Sequence, residues 1–237
     1  MDTATRPTRR EERRIQTVRE IKELAMEQVS QGGPDAVSLS GIVREMSMSP
    51  AAVYRYFANR DALLADLVVD AYNELADSLV AVERGKGSAD AHLDAVLRAT
   101  RVWALKHPNA YRLIFQTRMG SGEHLAAERT IPAASRSMRV LIDAISAVAP
   151  REGAEPGPGG SRLSAGMEEV LRTWRDRTGL TDISLEVLAL AFLSWTRLHG
   201  IISLELGGHL AATGIGAPVL FDAEVEGIRA QAALPRR

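Results

Sequence analysis

The chain has 237 residues, no cysteine and a formal net charge of −1. With 46% apolar and 25% charged residues it has the composition of a globular protein of one large or two small domains. The lack of cysteine excludes disulfides, thiol catalysis and thiolate metal sites, and the near-zero charge excludes coating nucleic acid by bulk positive charge. The first fourteen residues, MDTATRPTRREERR, hold no apolar core of a secretory signal, so the cytoplasm is the expected compartment. The apolar run 187–206 is long enough to span a bilayer. Arg197 and His199 stand at its centre, so a buried helix is expected there and no membrane partner.

The expected fold class is all-α, because no run of β-branched and aromatic residues alternates with period two. In 10–31 the apolar residues Ile15, Val18, Ile21, Leu24, Ala25 and Val29 recur in steps of three and four, a helical stripe stopped by GGP at 32–34. Ser38 reads as the N-cap of a short helix over 39–45. Ser49 and Pro50 open a second short helix ending near Phe57. Asn59 caps a long helix with the stripe Leu63, Leu64, Leu67, Val68, Ala71, Tyr72, Leu75 and Leu79. Breaks at 83–88 and 120–123 bracket helices over 89–106 and 108–115. One or two helices fit 124–149, with Pro132 a kink or first-turn residue. Three prolines and four glycines make 149–161 a flexible loop. Helices over 162–177 and 184–206 follow, then a short last one near 222–234.

Residues 10–60 combine a long helix, a short helix, the turn Met46-Ser47-Met48 and a second short helix, a helix-turn-helix unit. Ser49, Pro50, Ala51 and Ala52 should point outward, and small residues there let the backbone approach base edges. Val53 and Phe57 should face the core. The Tyr54 hydroxyl can meet a phosphate, and so can Arg60 at the start of the next helix. Residues 1–60 carry ten Lys/Arg against eight Asp/Glu, and the remainder nineteen against twenty-two. Arg6, Arg9, Arg10, Arg13 and Arg14 crowd the amino terminus, as an arm reaching a DNA backbone or minor groove would.

The segment SLSGIVREMSMSPAAVYRYFANRDALL (38–64) resembles the DNA-binding signature of the TetR family of bacterial regulators. The likeness covers about 13–64 and centres on Val53-Tyr54-Arg55-Tyr56-Phe57, Arg60 and Ala62-Leu63-Leu64. The chain departs from the family pattern in three places. Ser47 stands where the turn usually has Gly, Arg60 where Lys is usual, and Val43 where Ala is usual. The resemblance implies that the second short helix lies in a major groove. It implies phosphate contacts from Ser38, Ser49, Tyr54, Tyr56 and Arg60. Pro50, Ala51 and Ala52 would approach bases, and Arg44 could also do so.

Residues after about 85 resemble the variable ligand-binding and dimerisation half of such regulators. Trp195-Thr196-Arg197-Leu198-His199-Gly200 with Leu204-Glu205-Leu206, and His107-Pro108-Asn109-Ala110-Tyr111-Arg112-Leu113, are similar to a subgroup with a Trp-His-Gly signature. Trp103, His107, Tyr111, Phe115, Met119, Met138, Trp174, Phe192, Trp195 and His199 are the large side chains that could line a ligand cavity, though core packing explains each one as well. The helix 184–206 is apolar on two sides. One stripe is Leu185, Leu188, Phe192, Trp195, His199 and Ile202, and the other is Val187, Leu190, Ser194, Arg197, Ile201 and Leu204. One side should face its own core and the other a second copy, with 162–177 completing a four-helix interface.

The expectation is thus a helix-turn-helix domain over 1–60 and a helical ligand-binding and dimerisation domain over 61–237. The function implied is a homodimeric, ligand-released repressor on a near-palindromic double-stranded DNA site, with an unidentified small-molecule effector and no cofactor. No HExxH, GxSxG, P-loop or strand-borne GxGxxG is present, so no enzyme is expected. An architectural DNA-binding protein, or a helical-pocket enzyme with an accessory helix-turn-helix, are the alternatives.

Overall fold

The computed structural model describes residues 8–82, 87–116, 126–148 and 163–234. They form ten α-helices and two short 3-10 turns, and no strand is present among them. Arg6, Met119, the break at 120–123 and the loop 149–161 lie outside the described residues.

The described residues fall into two compact units, one drawn from 1–72 with 107–132, the other from 73–106 with 133–237. The first holds α1 (Arg9–Gly32), the 3-10 turn Pro34–Ala36, α2 (Leu39–Glu45), α3 (Pro50–Tyr54), the first part of α4 (Arg60–Val80) and α6 (Pro108–Phe115). Its α1 begins at a capping box. Thr8 accepts from the Glu11 N–H while the Glu11 carboxylate accepts from the Thr8 N–H at 2.7 Å. Ile21, Ala25 and Val29 of α1, Leu39 and Ile42 of α2, Val53 of α3 and Leu63, Leu64, Leu67 and Val68 of α4 make its buried core. Lys22 ties α1 to α4 through Asp66 at 3.2 Å and Asp70 at 2.6 Å, and Asp66 also receives Arg129 of α7 (Ala127–Val148).

The turn between α2 and α3 is a Schellman motif. The Met48 N–H donates to the Val43 carbonyl at 3.1 Å and the Ser47 N–H to the Arg44 carbonyl at 3.2 Å. Val43 and Met48, the pair that closes such a motif, both pack on the core. The motif needs a left-handed residue at its pivot, and Ser47 has φ +52°. A serine therefore occupies a conformation that glycine adopts without strain.

The second unit holds the end of α4, α5 (Ala89–Lys106), most of α7, α8 (Ala165–Thr178), α9 (Leu185–Leu206) and α10 (Ala217–Ala232). Ser164 and Ser184 cap α8 and α9 by accepting from Met167 and Val187 N–H groups. Leu188, Ala191, Leu198 and Ile202 of α9 are buried, and α9 packs against α5, α8 and α10. By length and composition α9 could cross a membrane, but its charged groups Arg197 and Glu205 are matched inside the fold. Arg197 Nε sits 2.9 Å from the Glu224 carboxylate on α10, a partner 27 positions away that no local reading of the sequence reveals. Arg101 of α5 pairs with Glu205 at 2.8 and 2.5 Å, and Arg229 of α10 with Asp90 at 2.9 Å.

Three expectations need correction. The last helix is not a short one near 222–234; it starts at Ala217, because Pro218 occupies the first turn, where its missing N–H costs nothing. The third helix stops at Tyr54 and not near Phe57, although Phe57 still donates to the Val53 carbonyl at 3.1 Å. Of the two readings of Pro132 only the first-turn one falls: the residue lies inside α7, five residues beyond its first, where it removes a bond that the Glu128 carbonyl would otherwise accept.

Replacing Ser47 by Gly should relieve the left-handed strain by about 1 kcal/mol, net of the extra freedom of an unfolded glycine, and raise Tm by about 2–4 °C. A thermal unfolding scan checks this; a lowered Tm would mean that the serine is not strained.

Candidate DNA interface and effector cavity

The side chains that α2 and α3 turn away from the core define one face. Ser40, Arg44, Ser49, Pro50, Ala51, Tyr54 and Arg55 are exposed, whereas Ile42, Val53 and Phe57 are buried. Tyr54 is 51% exposed with its ring in solvent, while Tyr56 is half-buried against the core and Ala52 is also half-buried. Ser38 caps α2: its Oγ accepts from the Gly41 N–H at 3.2 Å, and its own N–H donates to Gln28 Oε1 at 2.8 Å. Ser49 stands at the N-cap of α3 without such a bond, so its hydroxyl is free to serve elsewhere.

Arg60 begins α4, whose first turn is capped by Asn59 accepting from the Ala62 N–H at 2.8 Å. Its guanidinium is already occupied in part. One terminal nitrogen donates to the Pro34 carbonyl at 2.6 Å and to the Asp35 carboxylate at 3.0 Å. Arg44 and Arg55, by contrast, enter no ion pair among the described residues. Arg55 was not singled out from the sequence; its signal is its place directly after Tyr54, at the exposed end of α3.

The arginines of α1 are also exposed. Arg9 and Arg10 fill the first two helical positions, and Arg9/Arg13 and Arg10/Arg14 are four apart. Each of these pairs sets like charges side by side on one flank of the helix. None of the four enters an ion pair among the described residues. An anion alongside would relieve both repulsions.

In the helical body the large side chains are distributed. His107, Tyr111 and Phe115 belong to the first unit, where the Phe115 ring meets Tyr111 at 5.0 Å and Tyr72 edge-on at 5.9 Å between centroids. Trp103, Trp174, Phe192, Trp195 and His199 belong to the second. Trp103 is buried in α5, and Trp174 of α8 packs edge-on against Phe192 of α9 at 5.0 Å. Trp195 and His199, 5.3 Å apart, line one cavity of about 30 Å³ with Leu75, Leu79, Thr100, Ser137, Met138, Leu141 and Leu198. That volume suits one or two waters and is far below the ~300 Å³ of a typical ligand pocket. Burial lowers the His199 pKa from 6.5 to about 4, so the imidazole is neutral at pH 7. Glu205, further along α9, is engaged by Arg101.

The surface of α9 is not the one read from its sequence. Neither of the two stripes is left open as a whole: Leu188 and Ile202 of one and Val187, Leu190 and Ser194 of the other are all buried in their own unit, Leu190 being only 8% exposed. The exposed line is Leu193, Thr196, Gly200 and Leu204, with Leu193 and Leu204 near 45% exposure. On α8, Met167 and Val170 are exposed too.

Residues 21–67, which run from α1 into α4 and include the whole exposed face of α2 and α3, match the family described as bacterial regulatory proteins, tetR family. Residues 93–228 match the tetracyclin repressor-like C-terminal domain. The chain belongs to the TetR family. It is 33% identical over 228 residues to the HTH-type transcriptional regulator Rv1816 of Mycobacterium tuberculosis, with 91% of this chain and 92% of that one covered. The crystal structure of the regulatory protein SCO4313 superposes with a TM-score of 0.75 at 35% identity, over 93% and 98% of the two chains. A tetR-family regulator from Rhodococcus RHA1 shares the fold at a TM-score of 0.61 and 16% identity, over 92% and 97%. The protein is thus a TetR-family transcriptional regulator, a DNA-binding and non-enzymatic class whose members form dimers and bind small-molecule effectors.

The His199 shift gives this regulator a pH signature. The folded state binds fewer protons than the unfolded chain between pH about 4 and 6.5, so this contribution to stability is complete above 6.5 and is lost as pH falls toward 4. The loss should reach about 3 kcal/mol. In His199→Leu the part of the acid decline that lies between those limits should disappear from thermal unfolding curves; an unchanged decline would assign it to other groups.

Proposed function

We propose that this TetR-family protein is a homodimeric repressor, released from a near-palindromic operator by a small-molecule effector in the cytoplasm. Residues 1–60 serve as the reader, and 61–237 as the effector and dimerisation part. The observation that carries the reading is the exposed face of α2 and α3. Small residues at the start of α3 stand beside solvent-facing Tyr54, Arg44 and Arg55, while Val53 anchors the helix from behind. On this reading Pro50, Ala51 and Ala52 approach base edges, Ala giving an apolar contact to a thymine methyl, and Arg44 adds a base contact. Ser38, Ser49, Tyr54, Tyr56 and Arg60 fix register through phosphates, joined by the α1 arginines.

The dimer is assigned to α8 and α9. Leu193 and Leu204 with the small residues Thr196 and Gly200 give a flat apolar line, and Met167 and Val170 extend it on the packed neighbour. Two such helix pairs about a two-fold axis form a four-helix interface that sets the heads about 34–36 Å apart, one helical turn of DNA. The effector is assigned to the second unit, among Trp103, Trp174, Phe192, Trp195 and His199. The Trp195–His199 cavity is its opening point, expanding as the molecule enters. The ligand acts by favouring a conformer with the wrong head spacing.

Selection from a random DNA pool should return a palindromic consensus; recovery of unrelated duplexes would instead indicate an architectural protein. On that consensus, Tyr54→Phe and Arg60→Ala should each weaken binding severalfold at fixed salt without altering the dimer, as loss of single phosphate contacts does. Leu193→Asp should give a monomer by analytical ultracentrifugation, because it places a charge on each side of the axis. A surviving dimer would move the interface elsewhere.

A further inference from the structure

Arg60 and Asp35 form an arrangement that the assignment of Arg60 to a phosphate leaves unexplained. Asp35 sits in the 3-10 turn that leads into α2, and its side chain is fully exposed to solvent. Its carboxylate lies 3.0 Å from an Arg60 terminal nitrogen that also donates to the Pro34 carbonyl at 2.6 Å. The other terminal nitrogen faces Asp61 at 3.5 Å. The two contacts on the shared nitrogen differ in kind. The carbonyl bond is partly buried and fixes where the guanidinium sits. The carboxylate contact is an exposed ion pair, worth at most about 1 kcal/mol and easily exchanged for another anion.

A carboxylate and a phosphate present the same chemistry to a guanidinium, paired anionic oxygens in a plane. We propose that Asp35 is an intramolecular competitor for DNA phosphate at Arg60, and so sets the affinity and salt dependence of operator binding. This rests on the reading of Arg60 as a phosphate contact. When DNA docks, Arg60 keeps the Pro34 carbonyl as a pivot and exchanges Asp35 for a backbone phosphate. The displaced carboxylate is then left close to the duplex and regains a cation from solution. That uptake offsets part of the counterion release that a lysine or arginine contact would otherwise give. Asp35 is a positioning residue here, acting through Arg60 and touching no base.

The test uses the full-length protein and the consensus duplex recovered from the random pool, with Kd followed between about 50 and 200 mM KCl. Asp35→Asn should tighten binding about twofold to fivefold at the low end, and should steepen the slope of log K against log salt by up to about 0.9, one recovered phosphate contact. The same change in an Arg60→Ala background should alter Kd by less than about twofold, because the competition has lost its object. Glu45→Gln removes an exposed acid of α2 and reads the general effect of charge near DNA; its effect should be the same with and without Arg60. An equal gain from Asp35→Asn in both backgrounds, or no gain in either, overturns the proposal. Those outcomes leave the regulator reading intact so long as the unaltered protein selects its consensus. If Arg60→Ala alone leaves affinity unchanged, both the phosphate role of Arg60 and the competition fall together.

Discussion

A five-residue helix has no stability of its own, since nucleation consumes nearly all that its few hydrogen bonds return. The helix α3 exists because Val53 is wholly buried and Phe57 nearly so, in a core shared by α1, α2 and α4. The exposed face of α2 and α3 depends on that anchoring. Pro50, Ala51 and Tyr54 face outward only because the opposite side of one helical turn is held inward. The Schellman turn at Ser47 adds the second restraint, fixing the angle at which the chain leaves α2. The head is thus organised by apolar burial, and its polar residues ride on that frame.

The helical body meets a different problem. Its central helix, α9, is apolar almost all round, yet it carries Arg197 and Glu205 and lies beside the charged α5 and α10. Each charge is answered from another helix, Arg197 by Glu224 and Glu205 by Arg101. Asp90 with Arg229, and Asp222 with Arg98, continue the pattern along α5 and α10. These half-exposed pairs contribute little net energy. Their consequence is register: α5 and α10 can pair in one antiparallel alignment that satisfies all of them, and slipping by a turn would strand several.

The elements with local signals were legible. The limits of α2 and α6 coincide with those expected from a cap and a proline, because Ser38 and Pro108 act through their own neighbours in sequence, and Asn59 and Ser184 open α4 and α9 in the same way. The outward and inward sides of α2 and α3 were legible for the same reason, as periodicity alone assigns Val53 to the core. What escaped depends on distant residues. The start of α10 was hidden because GIGAP reads equally as loop or as a first turn. The exposed line on α9 was misassigned, since a helix apolar on every side gives no periodic clue to which side the rest of the chain covers. The occupation of Arg60 by Pro34 and Asp35 joins positions 25 and 26 apart, and composition cannot report that. Ser47 is the instructive middle case: its departure from the family's glycine pointed to the turn, and the backbone there is indeed left-handed.

The four arginines at the start of α1 carry a consequence for how the molecule responds to its solution. Arg9 and Arg10 lie at the positive end of the helix macrodipole, and each repels the arginine one turn on. Added salt screens these repulsions and so firms the free head. The same ions compete with phosphate and loosen its hold on DNA. On the proposed contact of these arginines with DNA, ionic strength would drive folding of the head and its occupancy of DNA in opposite senses, and the duplex would supply the negative charge that the first turns lack.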